Sequence, residues 1–274
     1  MTTSTTPYST GTTGTPVFED SSISQITVFG DWHQNTSFAL QQLLYSQDDG
    51  SDIFFHVGDF GLWDLSSKFI KAVDHRLSRI GKQLWFIDGN HENFNIINSL
   101  PRDEYGRGVV SDHILHIPRS FSWVWGDLKF LGLGGAVSVD KEFRQEGFDW
   151  FPEEQVTEDD VNKAVITGHV DVLLTHDAPG LVWDSSISGV PDYVLRESKL
   201  TRDRIKQVIA HTEPSLNVHG HHHRSYASSF LGCKVVGLDC DHFAFTSQDT
   251  NIHLNRNRFV VPCDRSGFQE IVGN

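Results

Sequence analysis

The chain has 274 residues, of which 38% are hydrophobic, including 19 Phe and 7 Trp. This content is enough for a sizeable core and excludes global disorder. The formal net charge is −14, which argues against binding of long nucleic acid, because phosphate contacts require clustered Lys and Arg.

The cysteine content indicates a reducing compartment. Cys233, Cys240 and Cys263 are odd in number and widely spaced, and they form no CxxC pair. Such cysteines are typical of reduced cytosolic thiols rather than of a disulfide framework or a zinc knuckle. We therefore expect a cytoplasmic protein.

The N-terminal segment has the composition of a tail. Residues 1–16 are mostly Thr, Ser and Gly, without the positive and apolar regions of a secretory signal. We expect a flexible tail over residues 1–22 and a single domain over residues 23–274. The chain contains no apolar run of about 18 residues, so we expect neither a transmembrane helix nor a membrane partner.

The first part of the domain alternates strand-like and helix-like segments. Apolar runs predict three strands, at 25–30, 53–57 and 83–87. Apolar residues at helical spacing predict helices at about 36–46 and 65–80, the second ending at Gly81. Alternation at this length predicts βαβ units and a parallel sheet.

The second part is less regular. Short β-type runs between residues 109 and 131 predict an antiparallel section in a second sheet packed on the first. Residues 137–156 and 180–199 lack periodicity and predict long loops, which are more often functional than incidental. A capping box at Thr157–Asp160 predicts a short helix to about 165. The remaining predicted elements are strands at 171–175 and 216–219, a helix at about 200–211, a hairpin at 226–238, weaker strands at 250–262 and a frayed C-terminus.

Polar side chains follow five of the predicted strands. Ligands in open α/β sheets bind at the carboxyl ends of strands, so we expect these side chains to converge on one site. The five segments are Gly30-Asp31-Trp32-His33, Gly58-Asp59-Phe60-Gly61, Gly89-Asn90-His91-Glu92, Thr175-His176-Asp177 and Gly220-His221-His222-His223.

These residue types suit a pair of divalent metal ions. Two ions about 3.5–4 Å apart need a bridging carboxylate with neutral nitrogen and oxygen ligands on either side. Asp31 and His33 can chelate one ion, and Asp59 can bridge the two. Asn90 offers a carbonyl oxygen, and imidazoles come from His176, His221 and His223. Mixed His, Asp and Asn ligation favours Mn²⁺, Fe or Zn²⁺ over Mg²⁺ or Ca²⁺, and we expect Mn²⁺.

The charge of such a site predicts its substrate. Two divalent ions bring about four positive charges, and Asp31 and Asp59 return only two. The site stays positive, which suits a phosphate dianion and lowers the pKa of a bridging water. His91, next to Asn90, would be placed to protonate a leaving group.

The order and residue patterns of the five motifs resemble those of the calcineurin-like metallophosphoesterases, over about residues 26–240. The resemblance implies a four-layer α/β/β/α sandwich with two mixed β-sheets and a dinuclear site between the C-terminal edges of the sheets. It also implies hydrolysis of a phosphate mono- or diester by a metal-bridging hydroxide, with His91 as the general acid. By position it assigns one metal to Asp31, His33, Asp59 and His223, and the other to Asp59, Asn90, His176 and His221.

One departure from the family pattern indicates which branch of the family the chain does not resemble. Leu62 and Trp63 stand where the Ser/Thr protein phosphatase branch has Asp and Arg in GDxxDRG, so we do not expect that branch. The segment from Gly134 to Glu154 instead looks like the substrate-side loop of small bacterial and phage members, in which Arg144 is a candidate phosphate clamp. The carboxylate that supports His91 could come from Asp64, Glu92 or Asp177.

Two residue assignments have alternatives. His219 and His221 form a second HxH pair, but Gly220 favours His221 and His223 as the ligands. Aromatic side chains near the site could form a base-binding floor, although core packing is the preferred interpretation for Trp32, Phe60 and Trp63.

The expected substrate of this enzyme is a small phosphoester or a nucleotide. Two other functions are alternatives to phosphoester hydrolysis. A metal-binding interaction module without turnover is disfavoured because the ligand set and the acid are both complete. A nuclease acting on DNA ends is disfavoured because such proteins usually add capping domains, for which an acidic chain of 274 residues leaves little room.

Overall fold

A computed structural model describes residues 17–180, 189–241 and 250–273. Its strands are β1 (Phe18–Asp20), β2 (Gln25–Phe29), β3 (Ile53–His56), β4 (Leu84–Phe86), β5 (Gly108–Val109), β6 (Ile114–His116), β7 (Phe121–Trp125), β8 (Leu128–Leu133), β9 (Val172–Thr175), β10 (Leu216–His219), β11 (Tyr226–Phe230), β12 (Cys233–Gly237) and β13 (Arg258–Pro262). Its helices are α1 (Thr36–Ser46), α2 (Lys68–Ile80), α3 (Phe94–Ser99), α4 (Glu158–Ile166), α5 (Asp192–Thr212), α6 (Thr250–Arg256) and α7 (Arg265–Val272). The segment 137–156 carries two short 3-10 helices, at Lys141–Phe143 and Pro152–Glu154.

Local sequence signals set the helix ends. The side chain of Asn35 caps α1, and that of Ser67 caps α2, which begins three residues later than predicted. α2 ends at Gly81, whose φ of 65° suits glycine. The predicted capping box between Thr157 and Asp160 is present at the start of α4.

The strands form two mixed sheets. The seven-stranded sheet has the order β1-β7-β8-β9-β10-β12-β11, and the six-stranded sheet has the order β13-β2-β3-β4-β6-β5. The three strands predicted first, β2, β3 and β4, pair in parallel as expected. β7 and β8 are antiparallel in the other sheet, also as expected.

The two sheets pack face to face between two layers of helices. Adjacent residues in a strand point to opposite faces of a sheet, so Phe55 lies in the core between the sheets and Phe54 lies beneath the helices. Helices α1, α2 and α3 cover the outer face of the six-stranded sheet, where Trp32, Phe60 and Trp63 pack. Helices α4 and α5 cover the outer face of the seven-stranded sheet. The four-layer α/β/β/α sandwich is therefore confirmed.

The predicted N-terminal tail extends too far. Residues 1–16 lie outside the described residues, but Phe18–Asp20 form β1, which pairs in parallel with β7. The ring of Phe18 packs edge-on against Trp85, with 5.1 Å between ring centroids. Phe18 therefore belongs to the folded domain rather than to a tail.

Two further segments differ from the prediction. Ile114–His116 belong to the first sheet, in parallel with β4, rather than to the second. The loop predicted over 180–199 is helical from Asp192, while residues 181–188 lie outside the described residues. The buried face of these first turns includes Ser198 and Thr201, so hydrophobic spacing did not reveal the helix.

The C-terminal segment also contains more helix than predicted. Thr250–Arg256 form α6, and only Arg258–Pro262 form a strand, antiparallel to β2. The chain then continues into α7, which is capped by Asp264 and buries Phe268 completely. Among the described residues, no helix is both long and apolar enough to cross a membrane.

Candidate metal centre

The five predicted motifs meet at one boundary between the two sheets. Asp31 and His33 follow β2, Asp59 follows β3 and Asn90 follows β4, all in the six-stranded sheet. The remaining histidines of the motifs follow β9 and β10 of the seven-stranded sheet. Parallel strands place their carboxyl ends at the same edge, so residues far apart in sequence become neighbours.

One group of side chains contains Asp31, His33, Asp59 and His223. One ligand atom from each lies within 4.8 Å of those of the others. Nε2 of His33 is 3.3 Å from Oδ2 of Asp59, and Nε2 of His223 is 3.1 Å from Oδ2 of Asp31. The group offers two carboxylates and two imidazoles to a cation.

A second group contains Asp59, His176 and His221, again with ligand atoms within 4.8 Å of one another. Nε2 of His176 is 3.3 Å from Oδ1 of Asp59 and 3.1 Å from Oδ1 of Asn90. Asp59 therefore presents Oδ2 to the first group and Oδ1 to the second. The division of residues between the groups is the one that the resemblance implied.

Hydrogen bonds on the far side of two imidazoles orient their Nε2 atoms toward the site. Nδ1 of His176 donates to the carbonyl oxygen of Val57 over 2.8 Å, so Nε2 is the ring nitrogen that faces the site. Nδ1 of His33 lies 2.7 Å from Oδ1 of Asp241. Sequence reasoning missed Asp241, although it follows β12 as the other motifs follow their strands.

The backbone around the site is strained. His33, Asp59, His221 and His223 all have positive φ, between 45° and 64°, a conformation that non-glycine residues adopt only when the surroundings enforce it. Close packing explains the glycines of two motifs. A Cβ on Gly89 would lie 2.2 Å from Oδ1 of Asp59, and one on Gly220 would lie 2.0 Å from Oδ1 of Asp31.

The electrostatics of the site fit divalent cations. Asp31 and Asp59 are buried, and a buried carboxylate requires a positive partner. Burial opposes the charged imidazolium, yet hydrogen bonds to Asp241 and Asp59 raise the pKa of His33 to about 11. The charge of Asp59 likewise overcomes burial and raises the pKa of His176 to about 10. Cations at this position would replace protons as the positive partners.

His221 differs from these two histidines. Burial lowers the pKa of its imidazole to about 3, despite the nearby charge of Asp177. The ring is therefore neutral and has a nitrogen lone pair for a metal. Neutral imidazoles combined with carboxylates and an amide oxygen form a donor set that fits Mn²⁺, Fe or Zn²⁺.

The structure distinguishes between the two HxH pairs. Nε2 of His219 lies 2.5 Å from the hydroxyl of Tyr226, away from both groups. His222 is 2.9 Å from Oδ1 of Asp177. His221 and His223 are the histidines of this loop that join the groups.

His91 and Arg144 lie beside the two groups. The backbone N–H of His91 donates to Oδ1 of Asp59 over 2.8 Å. Nη2 of Arg144 is 3.1 Å from Nδ1 and 3.0 Å from Nε2 of the His91 ring. The same guanidinium donates to Oδ2 of Asp140, over 3.0 Å from Nε and 2.9 Å from Nη2. Burial and the charge of Arg144 lower the pKa of His91, against the effect of Asp59.

The three candidate carboxylates for support of His91 have other partners. Asp64 is exposed and binds Ser66, and Asp177 binds His222. Glu92 accepts the backbone N–H groups of Phe60, Gly61 and Gly89. Glu92 therefore joins the loop of Asp59 to the loop of Asn90.

Two solved structures share this architecture. A dimetal phosphatase from Danio rerio has a similar fold, with a TM-score of 0.51 and 10% identity over 80% of this chain and 88% of that protein. TT1561 of Thermus thermophilus has a TM-score of 0.50 and 12% identity over 88% of this chain and 100% of that one. These similarities show the fold alone. No curated protein matches the chain.

The family comparison is decisive. The model of the calcineurin-like phosphoesterase family matches residues 24–234, which is most of the 274-residue chain. The chain therefore belongs to the calcineurin-like phosphoesterase family of metal-dependent phosphoester hydrolases.

Proposed function

We propose that the chain hydrolyses small phosphate mono- or diesters, including nucleotides, at a dinuclear metal centre. Asp59 supports this proposal most directly, because its two carboxylate oxygens face two different groups of ligands. The first metal would be held by Asp31, His33, Asp59 and His223, and the second by Asp59, Asn90, His176 and His221. A pair of divalent cations would supply Lewis acidity and activate water at neutral pH.

In this mechanism, His91 transfers a proton to the leaving oxygen. Its backbone N–H group donates to Asp59, and its ring lies 5.5 Å from that of His33, between ring centroids. A general acid must be within hydrogen-bond reach of the oxygen that it protonates. The imidazolium form of His91 gives its proton to the leaving oxygen, and the neutral imidazole regains one from solvent. The lowered pKa of His91 makes this imidazolium a stronger acid.

Arg144 binds the phosphoryl oxygens in this proposal. Its side chain is 12% exposed and held by Asp140, so the guanidinium is ordered before substrate arrives. A planar guanidinium matches two oxygens of a phosphate group. Its contact with His91 supports this role, because a phosphate clamp and an acid that act on one substrate must lie side by side.

Three finer assignments belong to the same proposal. We favour Mn²⁺ because the ligand set mixes imidazole, carboxylate and amide donors. The net charge of −14 favours a small substrate over long nucleic acid. Cys233, Cys240 and Cys263 are free and buried, which supports a cytoplasmic location.

The proposal is tested with a panel of phosphate mono- and diesters, each assayed with Mn²⁺, Zn²⁺, Fe²⁺ and Mg²⁺. We expect turnover of a chromogenic aryl phosphate by the loaded protein and its loss in Asp59→Asn. Asp64→Asn is the matched control, since Asp64 is exposed and bonded only within its own turn. Tight metal binding without turnover would support an interaction module, and selective cleavage of single-stranded DNA would support a nuclease.

A further inference from the structure

The loop at 137–156 contacts the metal centre through a chain of hydrogen bonds. Nδ2 of Asn90 donates to the hydroxyl oxygen of Ser138 over 3.0 Å. That hydroxyl in turn donates to Oε2 of Glu154 over 2.9 Å. All three side chains are buried, so solvent does not compete for these bonds.

The direction of these bonds determines which end of the Asn90 amide faces the metal. The ionised carboxylate of Glu154 only accepts hydrogen bonds, so in this form Glu154 takes the single proton of the Ser138 hydroxyl. The hydroxyl oxygen is then left as an acceptor, and it pairs with the NH₂ end of the amide. Oδ1 of Asn90 consequently faces Nε2 of His176, 3.1 Å away, where a cation needs an oxygen ligand.

Glu154 is itself held firmly. Its Oε1 accepts from the backbone N–H of Ser138 and from Nε1 of Trp150, both over 2.8 Å. Arg119 donates to the carbonyl oxygens of Glu153 and Glu154 and forms an ion pair with Asp88. Since Asp88 is two residues before Asn90, these contacts close a ring that joins the loop to the end of β4.

We propose that Ser138 and Glu154 are positioning residues that hold Asn90 with its carbonyl oxygen toward the second metal. This inference rests on the proposed dinuclear site and adds a function for the 137–156 loop. Neither residue touches substrate in this role. Both act through Asn90, and we expect them to affect one of the two metals.

Three substitutions probe the chain of bonds. Ser138→Ala removes the acceptor and leaves the amide of Asn90 free to rotate. Glu154→Gln places an NH₂ donor against the Ser138 hydroxyl, which reverses the direction of that bond and favours the wrong end of the amide. Glu153→Gln is the matched control, because Glu153 is the exposed neighbour of Glu154.

The measurement is calorimetric titration of the metal-free full chain with Mn²⁺ at pH 8. In the wild type we expect two ions per chain. In Ser138→Ala and Glu154→Gln we expect one ion to bind as before and the other about 10- to 100-fold more weakly, the usual effect of losing a partner of a metal ligand. Glu153→Gln should match the wild type.

A double-mutant cycle separates positioning from general stability. In an Asn90→Ala background, Ser138→Ala should not weaken the second ion further, because the residue through which it acts is gone. A further loss in the double variant would overturn the inference. If Glu154→Gln does not fold, Ser138→Ala, which removes one oxygen, still gives the answer.

The same titration distinguishes this inference from the proposed function. A wild-type chain that binds fewer than two ions would contradict the dinuclear site itself. A wild type with two ions, together with variants that bind both ions equally well, would overturn the role of Ser138 and Glu154 and leave the dinuclear site intact.

Discussion

Oδ1 of Asp59 lies 3.3 Å from Nε2 of His176, although the two residues follow strands in different sheets. Asp59 follows β3 of the six-stranded sheet, and His176 follows β9 of the seven-stranded sheet. Both side chains are buried. The candidate centre therefore depends on how the two sheets pack, and each sheet supplies part of the ligand set.

His91→Ala should lower turnover of substrates with poor leaving groups by about 10²- to 10⁴-fold, the usual contribution of a general acid. Metal content should stay at the wild-type value, because His91 belongs to neither ligand group. Steady-state kinetics with an alkyl and a nitrophenyl phosphate measure the effect.

The nitrophenyl substrate serves as the internal control for this variant. Its leaving group departs without a proton, so its hydrolysis should fall much less. Equal losses on both substrates, with two metals still bound, would assign His91 a role other than proton transfer.

Arg144→Ala should weaken the interaction with the phosphoryl group. A hydrogen bond to a charged group contributes about 1.5–3 kcal/mol, so kcat/KM should fall by about 10- to 150-fold. Arg196→Ala, on the exposed face of α5, is the matched loss of one positive charge. If both variants reduce kcat/KM equally, Arg144 contributes only general charge.

Arg119→Ala should destabilise the fold by about 3–5 kcal/mol, because it removes the guanidinium that pairs with the buried carboxylate of Asp88. Although burial opposes ionisation, Arg119 holds the pKa of Asp88 well below its usual range. Urea unfolding of the metal-free protein measures the loss. Lys163→Ala is the control, because it removes one partner of an exposed ion pair and should change the free energy of unfolding little. An equally small change in Arg119→Ala would contradict the importance of the buried pair.

The stability of the metal-free protein should depend on Glu154 between about pH 4.5 and 7. Burial raises the pKa of this carboxyl from 4.5 to about 7, despite hydrogen bonds from Ser138 and Trp150. As pH rises, the unfolded chain loses this proton at a lower pH than the folded chain does. The protonated carboxyl therefore contributes its full stabilising free energy below pH 4.5, and this contribution is lost as pH rises through 7. The loss amounts to roughly 3 kcal/mol at 1.36 kcal/mol per pKa unit.

The Gln side chain of Glu154→Gln cannot ionise, so the free energy of unfolding of this variant should lack the fall between pH 4.5 and 7. The difference in free energy of unfolding between wild type and variant, measured in urea from pH 4 to pH 8, isolates the carboxyl from all other titrating groups. A difference that stays constant over this range would show that Glu154 keeps an ordinary pKa.

The ligand motifs could be predicted because strand ends have a clear sequence form. An apolar run followed by a polar loop, as in Ile53–His56 before Asp59, identifies both the strand and the edge where its polar residue lies. Five such segments in family order brought together residues as far apart in the chain as Asp31 and His223.

Other features had a weak local signal or none. Asp241 follows β12, but its sequence surroundings do not indicate that it supports His33 across 208 residues. Ser138 reads as an ordinary loop residue, and only its contacts with Asn90 and Glu154 reveal a role. The three residues of β6 are too few for their pattern to choose a sheet.

The central claim is that Asp59 is shared by two metal ions. Its most direct test is the Mn²⁺ stoichiometry and affinity of Asp59→Asn beside His223→Ala, since His223 belongs to the first group only. We expect two ions in the wild type, loss of one ion in His223→Ala and weakened binding of both ions in Asp59→Asn. Loss of a single ion in Asp59→Asn, with the other bound at wild-type affinity, would contradict the account.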